Sequence, residues 1–264
     1  MARCVDEDGR CGLCEGELPF RFTMAFQPIV DLQHRCVHAY EALVRGPEGE
    51  PAIQILDRVT DDLLYRFDQA CRVKAIEQAS ALGMQEALSI NFLPNAVHEP
   101  EACIQATLEV SQRVGWPLDQ LIFEVVESER IQDREHLHGI ITAYRRMGFS
   151  VALNDFGTGY ANLDVLTFLQ PDKLKIDRQL VMGCDGDPRR QALLRALAGM
   201  APSLGINLIA EGVETLDEAL WLFHAGISLQ QGYYFARPAL DALAINLEAR
   251  MSIVLDSPSP GTGS

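Results

Sequence analysis

The chain has 264 residues, with 22 Lys and Arg against 37 Asp and Glu for a net charge of -15, and is 48% hydrophobic. That length suits one large domain and leaves no room for a second. The acidic balance argues against a nucleic acid polymer or an anionic membrane surface as partner, since both attract basic faces. No apolar run is long enough to span a bilayer and no charged-then-apolar leader opens the sequence, so no membrane partner and a cytoplasmic location are expected.

Residues 1–19 read as a polar leader in which Cys4, Cys11 and Cys14 stand near Asp6, Glu7 and Asp8. The Cys11–Cys14 pair has the spacing of a redox or metal-binding pair, and His34, Cys36 or His38 could fold back as further ligands. No fourth ligand stands at zinc-site spacing, which favours a plain polar leader. Cys36, Cys71, Cys103 and Cys184 occur singly, and seven is an odd number, so reduced thiols are expected rather than a disulfide framework.

Residues 21–30 read as a first strand with Pro28 near its end, and a second strand is expected to precede Glu41. Helical periodicity covers about 60–82, 100–114, 133–147, 187–203, 214–225 and 239–251, with apolar strand-like runs between. This alternation predicts parallel strands with crossover helices, closed into a TIM-like (β/α)8 barrel, one domain over residues 20–254. Residues 255–264 are rich in Pro, Gly and Ser and are expected to be a disordered tail.

Five apolar runs end on an oxygen-bearing side chain: ALSIN at Asn91, LIFE at Glu124, VALND at Asn154 and Asp155, LKID at Asp177 and NLIAE at Glu211. Taken singly, each is more simply a helix cap or a solvated loop charge. Together they describe a barrel with an acidic mouth, since catalytic groups of such barrels come from the carboxyl ends of different strands. Carboxylates converging there repel one another unless cations stand between them, which implies a metal site made of oxygen ligands.

The motifs YEALVRG (40–46), SINFLP (89–94), FEVVES (123–128), NDFGTG (154–159), DKLKID (172–177), AEGVET (210–215) and QGYYFARP (231–238) resemble the EAL family, in order and over residues 20 to about 250. Members hydrolyse the bacterial second messenger cyclic di-GMP to the linear dinucleotide pGpG. The resemblance implies metal ligands at Glu41, Asn91, Glu124, Asn154 and Asp155, with Glu211 beside a second ion and acting through water. Hard oxygen donors favour two ions of Mg²⁺ or Mn²⁺, which together would activate water and polarise the phosphodiester. Lys175 matches the family's catalytic lysine, although alone it would read as a solvent-facing strand residue. Gln27, Arg45 and Gln231 match substrate-contacting positions; the planar fork of an arginine suits a phosphate. Glu127 matches the carboxylate holding the loop after the Asn154–Asp155 pair, where Gly157 and Gly159 would allow a tight turn. That loop lies at the dimer interface of relatives, so a homodimer is expected. Asp177 would either anchor Lys175 or cap the following segment. Control would come from dimerisation, a separate regulatory protein, or the leader acting as a redox or metal sensor.

Two positions depart from the family pattern. Asn154 stands where relatives carry an aspartate that bridges both ions, and an amide offers a metal only one neutral oxygen. A weaker second metal and slower hydrolysis follow, or else a degenerate member that binds cyclic di-GMP or a protein partner without turnover. Val126 replaces a common threonine and removes one hydroxyl.

Overall fold

The computed structural model describes residues 16–94, 97, 99–125, 134–157 and 163–257. It begins with a hairpin. Strands β1 (Thr23–Asp31) and β2 (Cys36–Arg45) pair antiparallel, from Thr23 opposite Arg45 to Asp31 opposite Cys36. Only residues 32–35 separate them, too few for the crossover that parallel strands require. Asp31 shapes the turn: its Oδ1 accepts the N–H groups of Gln33 and His34 at 2.9 and 3.1 Å, and Arg35 takes a left-handed φ of 55°. The second strand therefore runs through Glu41 instead of ending before it.

From β2 onward the pairing is parallel through β3 (Ala87–Phe92), β4 (Leu121–Val125), β5 (Ser150–Phe156), β6 (Lys173–Ile176), β7 (Asn207–Ala210) and β8 (Leu229–Gln230). β8 then pairs antiparallel with β1 and closes the barrel, while β9 (Ala239–Leu240) adds to β1. The expected TIM-like (β/α)8 barrel is thus present, with its first strand reversed.

Helices α1 (Ala52–Leu56) and α2 (Leu64–Ala81) follow β2, α3 (Pro100–Cys103) and α4 (Gln105–Val114) follow β3, and α5 (Arg134–Arg146) follows β4. Next come α6 (Leu163–Leu169) after β5, α7 (Arg178–Val181) and α8 (Pro188–Leu204) after β6, α9 (Leu216–His224) after β7, and α10 (Leu247–Asp256) near the end. α1, α6 and α7 are too short to give a readable helical period. The helix expected over 239–251 is a strand followed by a later helix. Left-handed residues at Asp241 (φ 45°) and Asn246 (φ 60°) break the periodic run, and Asp241 is held in place by Thr23 Oγ1 at 2.5 Å and Gln78 Nε2 at 2.9 Å. α10 reaches Asp256, so Leu255 and Asp256 are helical where a tail was expected.

Two apolar regions hold the barrel. The larger lies between strands and helices and contains Phe92, Phe123, Tyr144 and Phe149, whose Phe92–Phe123, Phe123–Phe149 and Tyr144–Phe149 contacts are edge to face. The smaller fills the barrel itself: Ile29, Ala39, Ile122, Ala152, Ile209 and Leu229, with Ala87 against them. Cys36, Cys71, Cys103 and Cys184 are free thiols; Cys4, Cys11 and Cys14 lie outside the described residues. Among the described residues no helix is long and apolar enough to cross a membrane.

Candidate active site

The interior apolar layer locates the site. Side chains two residues apart on a strand share a face, so the residue two positions toward the barrel mouth from each plug residue also points inward. Those residues are Glu41 above Ala39, Ser89 and then Asn91 above Ala87, Glu124 above Ile122, and Asn154 above Ala152. Glu211 stands above Ile209 and Gln231 above Leu229, and on the reversed β1 Gln27 stands above Ile29. β6 contributes Lys175 above Lys173. Period two alone would turn Asp155 outward. A break in register between β5 and β6 and a left-handed φ of 56° at Asp155 bring it to the cavity beside Asn154.

Lys175 is completely buried, and its Nζ meets Glu41 Oε2 at 3.0 Å, Glu124 Oε2 at 2.7 Å and Glu211 Oε1 at 2.7 Å. Around this centre runs a closed hydrogen-bond network. Asn154 Nδ2 donates to Glu124 Oε2 at 3.1 Å and to Asn91 Oδ1 at 3.2 Å, and Asn91 Nδ2 donates to Glu41 Oε1 at 2.9 Å. Gln231 Nε2 donates to Glu41 Oε2 at 2.8 Å and to Gln27 Oε1 at 3.3 Å, while Gln27 Nε2 donates to the carbonyl of Ala236 at 3.1 Å. Ser89 Oγ donates to the other oxygen of Glu124, Oε1, at 2.5 Å.

The charges do not balance. Four carboxylates, from Glu41, Glu124, Asp155 and Glu211, face one ammonium. Burial and the neighbouring Glu41 push Glu124 up to about 8 against the pull of Lys175, and burial takes Glu211 to about 7. Burial also raises Asp155. Glu41 goes the other way: Lys175 and the amides of Gln231 and Asn91 outweigh its burial and hold it below the usual carboxylate range. Lys175 itself is held well above its ordinary value, its burial overcome by Glu124, Glu211 and Glu41.

Among the described residues no three His, Cys, Asp or Glu side chains stand as a ready ion cage, and Lys175 occupies the point where the three glutamates meet. The donor set nonetheless fits a hard cation, being all oxygen with four carboxyl groups to one ammonium, groups that a bound cation would ionise. Asn154 is the exception to that fit. Its NH₂ faces Glu124 Oε2, and its Oδ1 accepts the N–H of Asp155 at 3.1 Å, so both amide ends are engaged within the protein.

Above the network opens a cavity of about 300 Å³, lined by Gln27, Glu41, Asn154, Asp155, Glu211 and Gln231 among the expected residues. Gln231 Oε1 is buried without a partner among the described residues and is available to a ligand donor. Arg45 is not in the lining: its Nη1 turns back to the carbonyl of Val44 at 2.7 Å. Asp177 caps α7, its Oδ1 accepting the N–H of Gln179 at 2.7 Å, and Lys175 is anchored by the glutamates instead. Gly157 has φ of 110°, and a Cβ there would run into Leu180. Glu127 and Gly159 lie outside the described residues, as does Val126.

The cavity also takes in Arg178, Gly212, Glu214 and Tyr233, which were not singled out from the sequence. Arg178 Nη2 pairs with Glu214 Oε1 at 2.9 Å, and the Arg237 guanidinium lies 4.2 Å from the centre of the Tyr233 ring. Arg178 directly follows the DKLKID motif and Glu214 lies inside AEGVET, so proximity to a strand end was the available signal. Ser89 could have been found from the period of β3.

Residues 20–238 match the model of the EAL domain. A solved stand-alone EAL protein from Vibrio cholerae O395, in its c-di-GMP-bound form, is 44% identical with a TM-score of 0.84, over 86% of this chain and 96% of that one. BlrP1 of Klebsiella pneumoniae, solved as a manganese/cyclic di-GMP complex, is 34% identical with a TM-score of 0.79, over 86% of this chain and 58% of that one. Among curated relatives from Escherichia coli K12, the blue light- and temperature-regulated antirepressor BluF is 35% identical, over 83% of this chain and 55% of its own length. The probable cyclic di-GMP phosphodiesterase PdeG is 30% identical, over 81% of this chain and 44% of its own length. The chain thus spans about half the length of these curated relatives. With the matched segment taking in the barrel and every residue of the buried network, the chain belongs to the EAL-domain family.

Proposed function

We propose that the protein hydrolyses cyclic di-GMP to the linear dinucleotide pGpG with the help of divalent cations, lowering the level of the messenger. The observation that carries this reading is Lys175, fully buried beneath the cavity and touching Glu41, Glu124 and Glu211 at once. An ammonium at the floor of the site, below the ligand, has a use in catalysis that binding alone does not require. Family membership and the phosphodiesterase and cyclic di-GMP descriptions of relatives support the same reaction.

On this reading Glu41, Asn91, Glu124 and Asp155 hold Mg²⁺ or Mn²⁺, with Asn154 joining if its amide turns and Glu211 acting through water. Two such ions, when bound, lower the pKa of water and offset charge developing on the phosphodiester. Lys175 keeps the three glutamates converged, and once a cation draws one of them away, the N–H it frees orients the attacking water. Gln27 and Gln231 hold the substrate at the cavity wall, and Arg45 reaches a phosphate after leaving the Val44 carbonyl. Glu127 with Gly157 and Gly159 would shape the loop after Asp155. The working protein is a cytoplasmic homodimer, regulated by a separate protein or by the cysteine-bearing leader.

A second reading, a receptor or regulator that binds cyclic di-GMP or a protein without turnover, has Asn154 in its favour, as well as the antirepressor description of one relative. The deciding experiment incubates purified protein with cyclic di-GMP and Mg²⁺ or Mn²⁺, separates the products by chromatography, and includes Glu41→Ala as control. Linear dinucleotide that forms only with metal and disappears in the control is expected. Intact ligand would overturn the enzyme in favour of the receptor, and a binding titration would then tell ligand binding from partner binding.

A further inference from the structure

Glu218, the third residue of α9, is 3% exposed, and its carboxylate joins two loops. Its Oε2 accepts the N–H groups of Glu214 and Thr215 at 2.9 and 3.0 Å, and its own N–H donates to Thr215 Oγ1 at 3.1 Å. Those bonds make an ordinary capping box. The other oxygen does what a capping box does not need: Oε1 accepts the N–H of Gly183 at 2.7 Å, from the exposed turn after α7.

The two loops joined in this way both build the cavity. The loop after β7 carries Glu211, Gly212 and Glu214; the segment after β6 carries Arg178. They touch at the rim as well, through the Arg178–Glu214 pair, but those side chains are 54% and 39% exposed, and such pairs hold little. Arg178 also lies over Gly212, where a Cβ would come within 2.6 Å of its Cβ and Cγ. The buried carboxylate is the firmer connection, since charge-assisted bonds away from water are the strong ones.

We infer that Glu218 is a positioning residue, locking the Glu211–Glu214 loop against the Arg178 segment so that this wall of the cavity is formed before ligand enters. This rests on the reading of the cavity as the cyclic di-GMP site. It makes no contact with ligand and lines no part of the cavity.

The test combines residue-resolved amide hydrogen exchange of the ligand-free protein with titration by cyclic di-GMP. In the wild type the Gly183 amide is expected to be protected although its turn is exposed; free exchange there would overturn the clamp. Glu218→Gln offers one acceptor and an NH₂, and so cannot serve both loops. It should speed exchange on the side facing the NH₂, either at Gly183 or at Glu214 and Thr215, and weaken cyclic di-GMP binding on the order of tenfold. Thr215→Val removes the other half of the capping box and should lower the melting temperature while leaving Gly183 protected and affinity at the wild-type level. Equal affinity loss in both variants, or none in Glu218→Gln, sinks the positioning role. Should Glu218→Gln fail to fold, Glu218→Asp, charged but too short to reach both loops, carries the same expectations. A wild type that does not bind cyclic di-GMP overturns the assignment of the cavity instead, and the exchange measurements still decide the clamp.

Discussion

Inside the barrel two layers lie one strand period apart and behave in opposite ways. The lower layer, Ile29, Ala39, Ile122, Ala152, Ile209 and Leu229, is apolar and buried, with Lys173 of β6 its one charged member among the described residues. The upper layer, from the same strands two residues on, is Gln27, Glu41, Glu124, Asn154, Glu211 and Gln231; it is polar, and all of it but the fully buried Glu124 lines the cavity. The plug gives its strands stability without specificity, since shape and volume are all it must satisfy. The network gives specificity at a cost in stability, because buried carboxylates repel and must be desolvated. The plug also bars water from below, which strengthens every charge interaction above it.

Breaking the upper layer at its centre should have the largest effect. Lys175→Met leaves Glu41, Glu124 and Glu211 without their shared cation; we expect hydrolysis to fall about 10²–10⁴-fold. Metal-free protein should also lose about 3–5 kcal/mol in denaturant titration. Unchanged metal-free stability would mean that the cluster is not held by this ammonium. Breaking the lower layer should separate the two properties. Ile122→Ala, directly below Glu124, should cost about 2–5 kcal/mol of unfolding free energy, while product formation per folded molecule changes far less than in Lys175→Met. A comparable loss of turnover would show that the plug also positions the carboxylates.

Asn154→Asp sharpens the contrast by adding a carboxylate to the upper layer. It should tighten the second cation by about tenfold and raise turnover, read by metal titration and product chromatography; an unchanged rate and metal stoichiometry would remove position 154 from the metal-bridging role. The smallest effect concerns Lys173, the charged residue that β6 places in the lower layer. Burial holds its amine below the ordinary 10.5, against the opposing pull of Asp172. A base with a lowered folded pKa destabilises the fold while charged, and this penalty fades as pH rises from the lowered value through 10.5. Lys173→Met should therefore be more stable than wild type by on the order of 1 kcal/mol near neutrality, with the difference closing in alkaline solution. A difference that does not change with pH would trace it to packing instead of charge.

Much of this was legible from patterns of period two. Asn91, Glu124, Asn154 and Glu211 end apolar runs, and on a strand that spacing puts them on the face of the plug residues below. Asp155 escaped that rule, because only a break in register and a left-handed backbone turn it to the cavity. The hairpin was hidden for a different reason. Its turn signal, an aspartate capping the amides two and three residues on, is local, but the antiparallel pairing is a property of two strands. The helix expected over 239–251 failed because Asp241 answers to Thr23 and Gln78, far away in sequence.

The amino-acid sequence by itself determined the class of fold, the family and the inventory of oxygen-bearing side chains at strand ends, since periodicity and motif order are local and survive without coordinates. Only the tertiary structure decided what those groups do to one another. It set Lys175 among three glutamates, turned Arg45 back onto its own strand, assigned Asp177 to a helix cap, and brought in Arg178, Glu214 and Glu218. Apart from the local bonds of Arg45 and Asp177, these contacts join segments from 35 to 134 residues apart and depend on how the barrel closes, and no short window of sequence carries that information.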